Sequence, residues 1–398
     1  MAKLRVAVIF GGRSPEHEVS IITGVQVLQN IDREVYDVMP VYVAKDGRLF
    51  TGEKLENLLT YKNLDNIPQV ATQITANIDK QKKGFLSLKN SLFGKEKVME
   101  IDVVFQVFHG GLGENGGFAG LFEVTDVAYV GPGITGGVLG MDKVVMKQLF
   151  MQSDIPIANW LWFYRKDFKK DPKVKLEEIE NKLKYPLFVK PANGGSTIGI
   201  SKVKNSKELE NAIEVAAMFD NKVVIEESFQ PAREINISVL GNAGNDLMAS
   251  VCEEVFTANE LLTYEDKYIG SGKSGATKGM ANASRQIPAK IPKEIEGEIQ
   301  KLAKKVFEIT NGSGVSRIDF LYNEKNKEII VLEINTIPGD LSFYIWEKNG
   351  LPFKELIDKL ITLARERYND KQKNSIVFPT NILQTLDILS GSKAGKRG

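Results

Sequence analysis

The 398-residue chain carries one cysteine, Cys252, and two histidines, His17 and His109. A lone cysteine excludes an intramolecular disulfide framework and any Cys-x-x-Cys metal or redox site. It sits in the apolar run Met248–Cys252, the setting of a small buried residue. Two histidines exclude a multi-histidine metal centre. No segment approaches the roughly 18 consecutive apolar residues of a membrane span, so no membrane partner is expected. The net charge is only +1, from 52 basic and 51 acidic residues. Such a balance leaves no global electrostatic footprint for nucleic acid, although local basic loops could still hold phosphates. The first apolar run ends in Gly11-Gly12-Arg13 rather than the GxGxxG fingerprint of dinucleotide-binding domains, which weakens an oxidoreductase reading. Met1-Ala2-Lys3 leads straight into that run, leaving no room for a signal peptide, so a cytoplasmic location is expected.

The length suggests two or three domains. Leu4–Phe10 is a nearly continuous apolar run, as expected of a buried parallel strand, and a glycine turn and a helix from Ser14 to Val27 follow it. Val103–Phe108 repeats the pattern, with Gly110–Gly120 as its glycine-rich exit. Together they predict an α/β open sheet with its ligand crevice at the carboxyl ends of the strands. Between them, residues 45–97 are polar and irregular and read as a surface insertion. A second unit begins near Met141, with a helix over 141–153, strands over 184–190 and 223–227, and a helix opened by an Asn205/Glu208 capping box. A third unit runs from about Ala232 to Ser390 and contains helices over 291–310 and 353–368. The expected division is 1–140, 141–230 and 231–390, with a small basic tail at 391–398.

Two segments of the third unit carry the most chemistry. Ser316-Arg317-Ile318-Asp319-Phe320 and Leu332-Glu333-Ile334-Asn335 each alternate apolar and polar residues, so Asp319, Glu333 and Asn335 can share one sheet face. Three hard oxygen ligands beside an arginine suit Mg²⁺ bridging phosphates, although a solvated hairpin face accounts for the pattern about as well. Lys190-Pro191-Ala192-Asn193-Gly194-Gly195-Ser196 is a strand opening into a glycine-rich loop, where backbone N–H groups, a hydroxyl and a lysine could meet phosphate oxygens. It is not a Walker A loop, and a plain hairpin turn explains it equally. Lys143 opens a helix after a glycine-rich turn, which by itself is simply a helix-start lysine. Val224-Ile225-Glu226-Glu227-Ser228-Phe229 could read an adenine through its backbone and Glu226, with Glu234 in reach of ribose hydroxyls; a solvated strand end is the commoner case. The stretch 267–285 is basic, glycine-rich and free of acids, which suits a lid closing on phosphates or a disordered surface loop. Near the N-terminus, Glu16 could face a substrate ammonium, and His109 could hydrogen-bond a carboxylate.

Taken in order, these motifs resemble those of the ATP-grasp enzymes and, within them, the D-alanine–D-alanine ligase family. The resemblance rests on Glu16-His17-Glu18-Val19-Ser20, His109-Gly110…Gly113-Glu114-Asn115-Gly116, Met141-Asp142-Lys143, Val189-Lys190-Pro191-Ala192, Tyr264-Glu265…Lys267-Tyr268, Arg317-Ile318-Asp319 and Glu333-Ile334-Asn335-Thr336…Pro338-Gly339, and spans about Leu4 to Leu363. It implies a three-domain ATP-grasp architecture of α/β (α+β) class with an N-terminal Rossmann-like open sheet domain. It implies ATP between the second and third units and two Mg²⁺ ions, or Mn²⁺ in their place, on Asp319, Glu333 and Asn335. Lys143 and Lys190 would hold phosphates, and Glu226, Phe229 and Glu234 would line the nucleoside pocket. Lys267 would approach the transferring phosphoryl group. The first D-alanine would meet Glu16, with His109 near its carboxylate, and Glu16, Ser196 and Tyr268 would tie the lid to the substrate. Arg317 and the Gly339 N–H would stabilise a tetrahedral oxyanion. The family also suggests a homodimer.

The sequence departs from the family pattern after Pro338-Gly339. Asp340-Leu341-Ser342-Phe343-Tyr344-Ile345-Trp346 stands where the family usually carries the residues that receive the second substrate's carboxylate, a role left here to Ser342 or Tyr344. Glu114-Asn115-Gly116 replaces the usual Glu-Asp-Gly, and the lid is longer than usual. The departures bear on the acceptor more than on the ATP chemistry. A ligase using D-serine, D-lactate or another amino acid therefore stands beside the D-alanine reading, with Tyr268 arguing against lactate. A nucleotide-binding protein without ligase activity is the third reading.

Overall fold

The apolar run at the N-terminus forms β1 (Leu4–Gly11) in a computed structural model that describes residues 2–79, 83–87, 98–195, 197–256 and 284–375. Val6, Val8 and Phe10 point into one core and Ala7 and Ile9 into another, so the strand is covered on both faces. That is the burial expected of a central parallel strand. β1 pairs in parallel with β2 (Tyr36–Val43) and β7 (Val103–Gln106), and β7 with β8 (Ala128–Tyr129). Helix α1 (His17–Asn30) packs on this sheet.

The described part of residues 45–97 does more than decorate the surface. β3 (Leu49–Thr51), β4 (Thr72–Asn77), β5 (Gly84–Ser87) and β6 (Val98–Glu100) extend the sheet antiparallel to the order β6-β5-β4-β3-β2-β1-β7-β8. Phe50, Leu55, Ile67, Ile74 and Phe85 are buried there. They are too widely spaced among polar residues to show a period in the sequence, which is why the insertion reading fails.

The second sheet is antiparallel, in the order β11 (Ser201–Val203), β10 (Leu187–Pro191), β12 (Lys222–Glu227), β9 (Trp160–Tyr164). Helix α4 (Ser206–Phe219) covers one face with Leu209, Ala212, Ile213 and Ala216, and the Asn205 side chain caps it by accepting from the Glu208 N–H at 3.1 Å. The third sheet runs β16 (Ser284–Gln286), β15 (Glu253–Phe256), β13 (Arg233–Asn242), β17 (Ser313–Asn323), β18 (Glu328–Asn335), with β14 (Met248–Ala249) also on β13. Ile295, Ile299, Ala303, Val306 and Phe307 of α5 (Lys293–Ile309) are buried in the core that backs it.

Helices α2 (Ile134–Met141) and α3 (Lys143–Gln152) bridge the first two sheets, and α6 (Phe343–Lys348) follows the third. The last described helix, α7 (Phe353–Lys371), returns to the first sheet. Its Phe353, Leu356, Ile357, Leu360 and Ile361 share a core with Val6, Val8 and Phe105.

Candidate active site

β17 and β18 lie in a register that sets Asp319 opposite Glu333 and Arg317 opposite Asn335. All four side chains therefore share one face, as the alternation predicts. Asp319 is 4% exposed; it accepts from Arg317 Nε at 2.6 Å and Nη2 at 2.8 Å, and from Asn335 Nδ2 at 3.0 Å. The amide nitrogen of Asn335 is thus spent on Asp319, which directs its oxygen elsewhere.

Lys143 reaches the same place from a different element. Asp142 caps α3 by accepting from Val144 N at 3.1 Å, and the Lys143 N–H donates to Ala192 O at 3.0 Å, which pins the helix start to the exit of β10. Lys143 Nζ then donates to Gly194 O at 3.0 Å and stands 3.3 Å from Glu333 Oε2. Here the helix-start lysine is drawn into a site.

On β10 and β12 the alternation sorts residues cleanly. Leu187, Val189, Val223 and Ile225 enter the core under α4, while Lys190 and Glu226 turn to the opposite side. Glu226 is 3% exposed and lies 2.9 Å from Lys190 Nζ and 3.0 Å from Lys147 Nζ. Burial alone would raise its pKa, but the two ammonium groups overcome that and hold it at about 2. Its carboxylate is thus engaged by two lysines and still lines the cavity, with acceptor capacity left on Oε1. Lys147 was absent from the sequence expectations. Its signal was there, since it lies four residues after Lys143 on one helix face.

These groups line one cavity with Phe188, Phe229, Glu234, Asp319, Leu321, Ile330 and Glu333. Three lysines meet at one end of it, and apolar and aromatic side chains form its walls. That combination fits a nucleoside polyphosphate, with charge for phosphates and flat apolar surface for a base. Asp319, Glu333 and the Asn335 oxygen fit a hard cation at the phosphate end. Among the described residues no three His, Cys, Asp or Glu side chains gather as a metal site; the donor set is two carboxylates and an amide. A larger cavity, of about 380 Å³, lies away from these groups beside Tyr129, Arg367 and Lys371.

A second cavity adjoins the first, sharing Lys143, Gly194, Gly195 and Glu333 and adding Glu16, His109, Glu114, Arg317, Asn335 and Gly339. Glu16 is held against two glycines: a Cβ on Gly110 would stand 2.4 Å from its Oε2, and one on Gly195 2.7 Å. His109 lies 3.0 Å from Ile337 O through Nδ1 and 2.9 Å from Thr23 Oγ1 through Nε2. A carbonyl only accepts, so Nδ1 carries the proton and Nε2 accepts from the hydroxyl. Burial lowers its pKa and keeps it neutral. With both nitrogens engaged by the protein, His109 lines the cavity and braces Ile337 but offers no open donor to a carboxylate. Glu114, not among the expected site residues, accepts from Gly110 N at 2.9 Å, and burial followed by repulsion from Glu16 raises its pKa to about 7.

His17 and Ser20 of the first motif hold the frame. His17 bonds Gly12 O at 2.6 Å and Tyr42 Oη at 3.0 Å, and Ser20 Oγ donates to Val107 O at 2.7 Å. Ser342 and Tyr344 line neither cavity. Ser342 is 0% exposed, and Tyr344 Oη donates to Glu253 Oε2 at 3.4 Å. Asp340, Leu341 and Ser342 take φ of 53°, 51° and 52°, and this left-handed turn carries both side chains out of the cavity. Ser196, Lys267, Tyr268 and residues 269–283 of the expected lid lie outside the described residues, as does the tail at 391–398.

Two sheets facing each other across a lysine-lined cavity, beside an open α/β domain, are the ATP-grasp fold. Residues 5–132 match the family description "D-ala D-ala ligase N-terminus" and residues 149–362 match "D-ala D-ala ligase C-terminus". The chain is 40% identical over 384 residues to the D-alanine–D-alanine ligase of Thermosipho melanesiensis, covering 96% of this chain and 98% of that protein. Among solved structures, it resembles the VanG D-Ala:D-Ser ligase of Enterococcus faecalis, with a TM-score of 0.77, 31% identity and coverage of 91% of this chain and 100% of that one. The D-alanine–D-alanine ligase of Coxiella burnetii gives a TM-score of 0.78 at 25% identity, covering 98% and 100%. The chain belongs to the D-alanine–D-alanine ligase family.

Proposed function

We propose that the protein uses ATP to join two D-alanines into D-alanyl-D-alanine, a precursor for peptidoglycan and hence for the cell wall. The observation that carries this reading is the register that puts Arg317, Asp319, Glu333 and Asn335 on one face at the junction of the two cavities. The nucleotide occupies the lysine-lined cavity, with its phosphates on Lys143, Lys147 and Lys190. Glu226 acts by holding Lys147 and Lys190 in place, and Phe229 and Glu234 flank the nucleoside. Mg²⁺, or Mn²⁺, held by Asp319, Glu333 and Asn335 would supply charge neutralisation between phosphates.

The first D-alanine sits in the smaller cavity with its ammonium toward Glu16. A carboxylate is a poor acyl donor, so its oxygen first takes the γ-phosphoryl group of ATP, giving an acyl phosphate and ADP. The amine of the second D-alanine then attacks the carbonyl carbon and loses a proton, and phosphate leaves as the amide forms. Arg317 and the Gly339 N–H stabilise the oxyanion formed in between. No protein nucleophile is needed. Water must be kept out to protect the acyl phosphate, a role assigned to the lid segment with Lys267 and Tyr268, which Glu16 and Ser196 would tie to the substrate site. The working division is 1–140 for substrate binding, with 141–230 and 231–390 enclosing the nucleotide, in a cytoplasmic homodimer.

Coupled measurement of ADP release should require both D-alanine and Mg²⁺, and mass spectrometry should identify the dipeptide. ATP binding without any dipeptide from a panel of D- and L-amino acids would leave a nucleotide-binding protein. One observation favours a second reading: Ser342 and Tyr344 are withdrawn from the cavity. An acceptor such as D-serine, or another D-amino or hydroxy acid, would then appear as the preferred product in mixed-substrate reactions.

A further inference from the structure

The face that carries Asp319 and Glu333 continues across the whole third sheet. Asp319 pairs with Asn236 and Asn236 with Glu253, while Arg317 pairs with Ser238. Val255, two residues beyond Glu253, pairs with Arg285 on the outermost strand β16. By alternation Arg285, Glu253, Asn236 and Asp319 lie on one side of the sheet. Arg285 is therefore the far end of the same polar stripe that holds the candidate phosphate and metal groups.

Its surroundings are unusual for an edge arginine. The side chain is only 12% exposed, and the guanidinium lies over the Tyr344 ring with its carbon 4.3 Å from the ring centroid. Nη1 stands 2.8 Å from Glu253 Oε1, yet among the described residues the buried Nε and Nη1 make no hydrogen bond. Glu253 Oε1 also lacks one among them, and burial raises the Glu253 pKa against the opposing pull of Arg285 and Arg317. A buried guanidinium with unmet donors is costly unless a further acceptor completes it. Tyr344 fixes its plane, and Tyr344 lies just past the turn that carries Gly339. Trp346 Nε1 donates to Ser238 Oγ at 2.8 Å and anchors that helix to the stripe beside Arg317.

We propose that Arg285, held flat by Tyr344 and steered by Glu253, binds the carboxylate of the acceptor amino acid while its amine faces Arg317 and Gly339. This rests on the ligase reading above. On this reading the donor lies on the Glu16 side of Arg317 and the acceptor on the Arg285 side. A planar guanidinium with adjacent donors is the side chain best shaped for a carboxylate. On this assignment the acceptor carboxylate meets Arg285 in place of the hydroxyl of Ser342 or Tyr344.

The test compares wild type with Arg285→Met and Arg285→Lys, using D-alanine and D-alaninamide as acceptors with separate KM values for donor, acceptor and ATP. Wild type should disfavour the amide, which lacks the carboxylate. Arg285→Met should raise the acceptor KM on the order of 10- to 100-fold, the worth of a charge-assisted fork. Donor and ATP KM should stay within about twofold, the preference against the amide should vanish, and lysine should restore part of it. An unchanged acceptor KM, an equal rise in all three KM values, or loss of cooperative melting in both variants overturns the anchor in favour of a structural role. A wild type that makes no dipeptide from any D-amino acid instead removes the ligase reading itself, and the anchor with it.

Discussion

Lys143 Nζ stands 3.3 Å from Glu333 Oε2, joining the first turn of α3 to the edge strand β18. One carboxylate therefore answers to Lys143, the lysine proposed to hold phosphate, on one side and to the candidate metal on the other. Glu333→Gln keeps the shape but removes the charge, so turnover should fall by orders of magnitude, on the order of 10²-fold or more, with melting little changed. Steady-state ADP release beside a thermal melt checks this; full turnover would remove the metal assignment.

The Glu226 carboxylate neutralises Lys147 and Lys190 in a setting where all three are nearly excluded from water. Removing it leaves two buried ammonium groups uncompensated. Glu226→Gln should cost about 3–5 kcal/mol in urea unfolding. Adding Lys147→Met should recover part of that loss, because the two sites share one network. A double variant as unstable as the sum of the singles would show that they are independent.

Glu114 supplies a pH dependence. Its folded pKa, near 7, is raised above the ordinary 4.5 by burial and then by Glu16. Stability from the neutral carboxyl is complete below 4.5 and lost as pH rises through 7. Glu114→Gln does not titrate there, so its melting temperature should gain on wild type between pH 4.5 and 7 and then level off. A difference independent of pH would show that Glu114 is ionised in the fold throughout.

Gly195 tests the placement of Glu16. A Cβ there meets the far end of a flexible side chain, which can move aside at small cost. Gly195→Ala should fold normally and raise the KM for the donor D-alanine on the order of tenfold, about 1.4 kcal/mol, leaving the KM for ATP near wild type. Equal donor KM values would mean that Glu16 does not hold the ammonium.

Much of this site is legible in the sequence because it is written in strands. The alternation at Arg317–Asp319 and Glu333–Asn335 fixes a shared face without any long-range knowledge, and the apolar run at Leu4–Gly11 announces a buried strand. The pairing of Lys147 with Glu226 is not legible, because it depends on how α3 lies across β12, 80 residues apart in the related pair Asp142 and Lys222. The engagement of His109 depends in the same way on Ile337, 228 residues distant. The withdrawal of Tyr344 follows from three left-handed residues, none of them glycine, for which no local signal exists. Strands β3 to β6 escape notice because their few buried residues are scattered among polar ones.

The return of α7 to the first sheet has a consequence for synthesis on the ribosome. Leu356, Ile357, Leu360 and Ile361 fill the core that Val6, Val8 and Phe105 begin, and each buried aliphatic side chain contributes about 1.5–3 kcal/mol. The first sheet therefore emerges with one apolar side covered only in part, by α1, and waits for more than 200 residues after β8 before α7 seals the rest. A nascent chain halted before α7 should bind holding chaperones, and residues 1–140 made alone should aggregate unless α7 is supplied as a separate peptide.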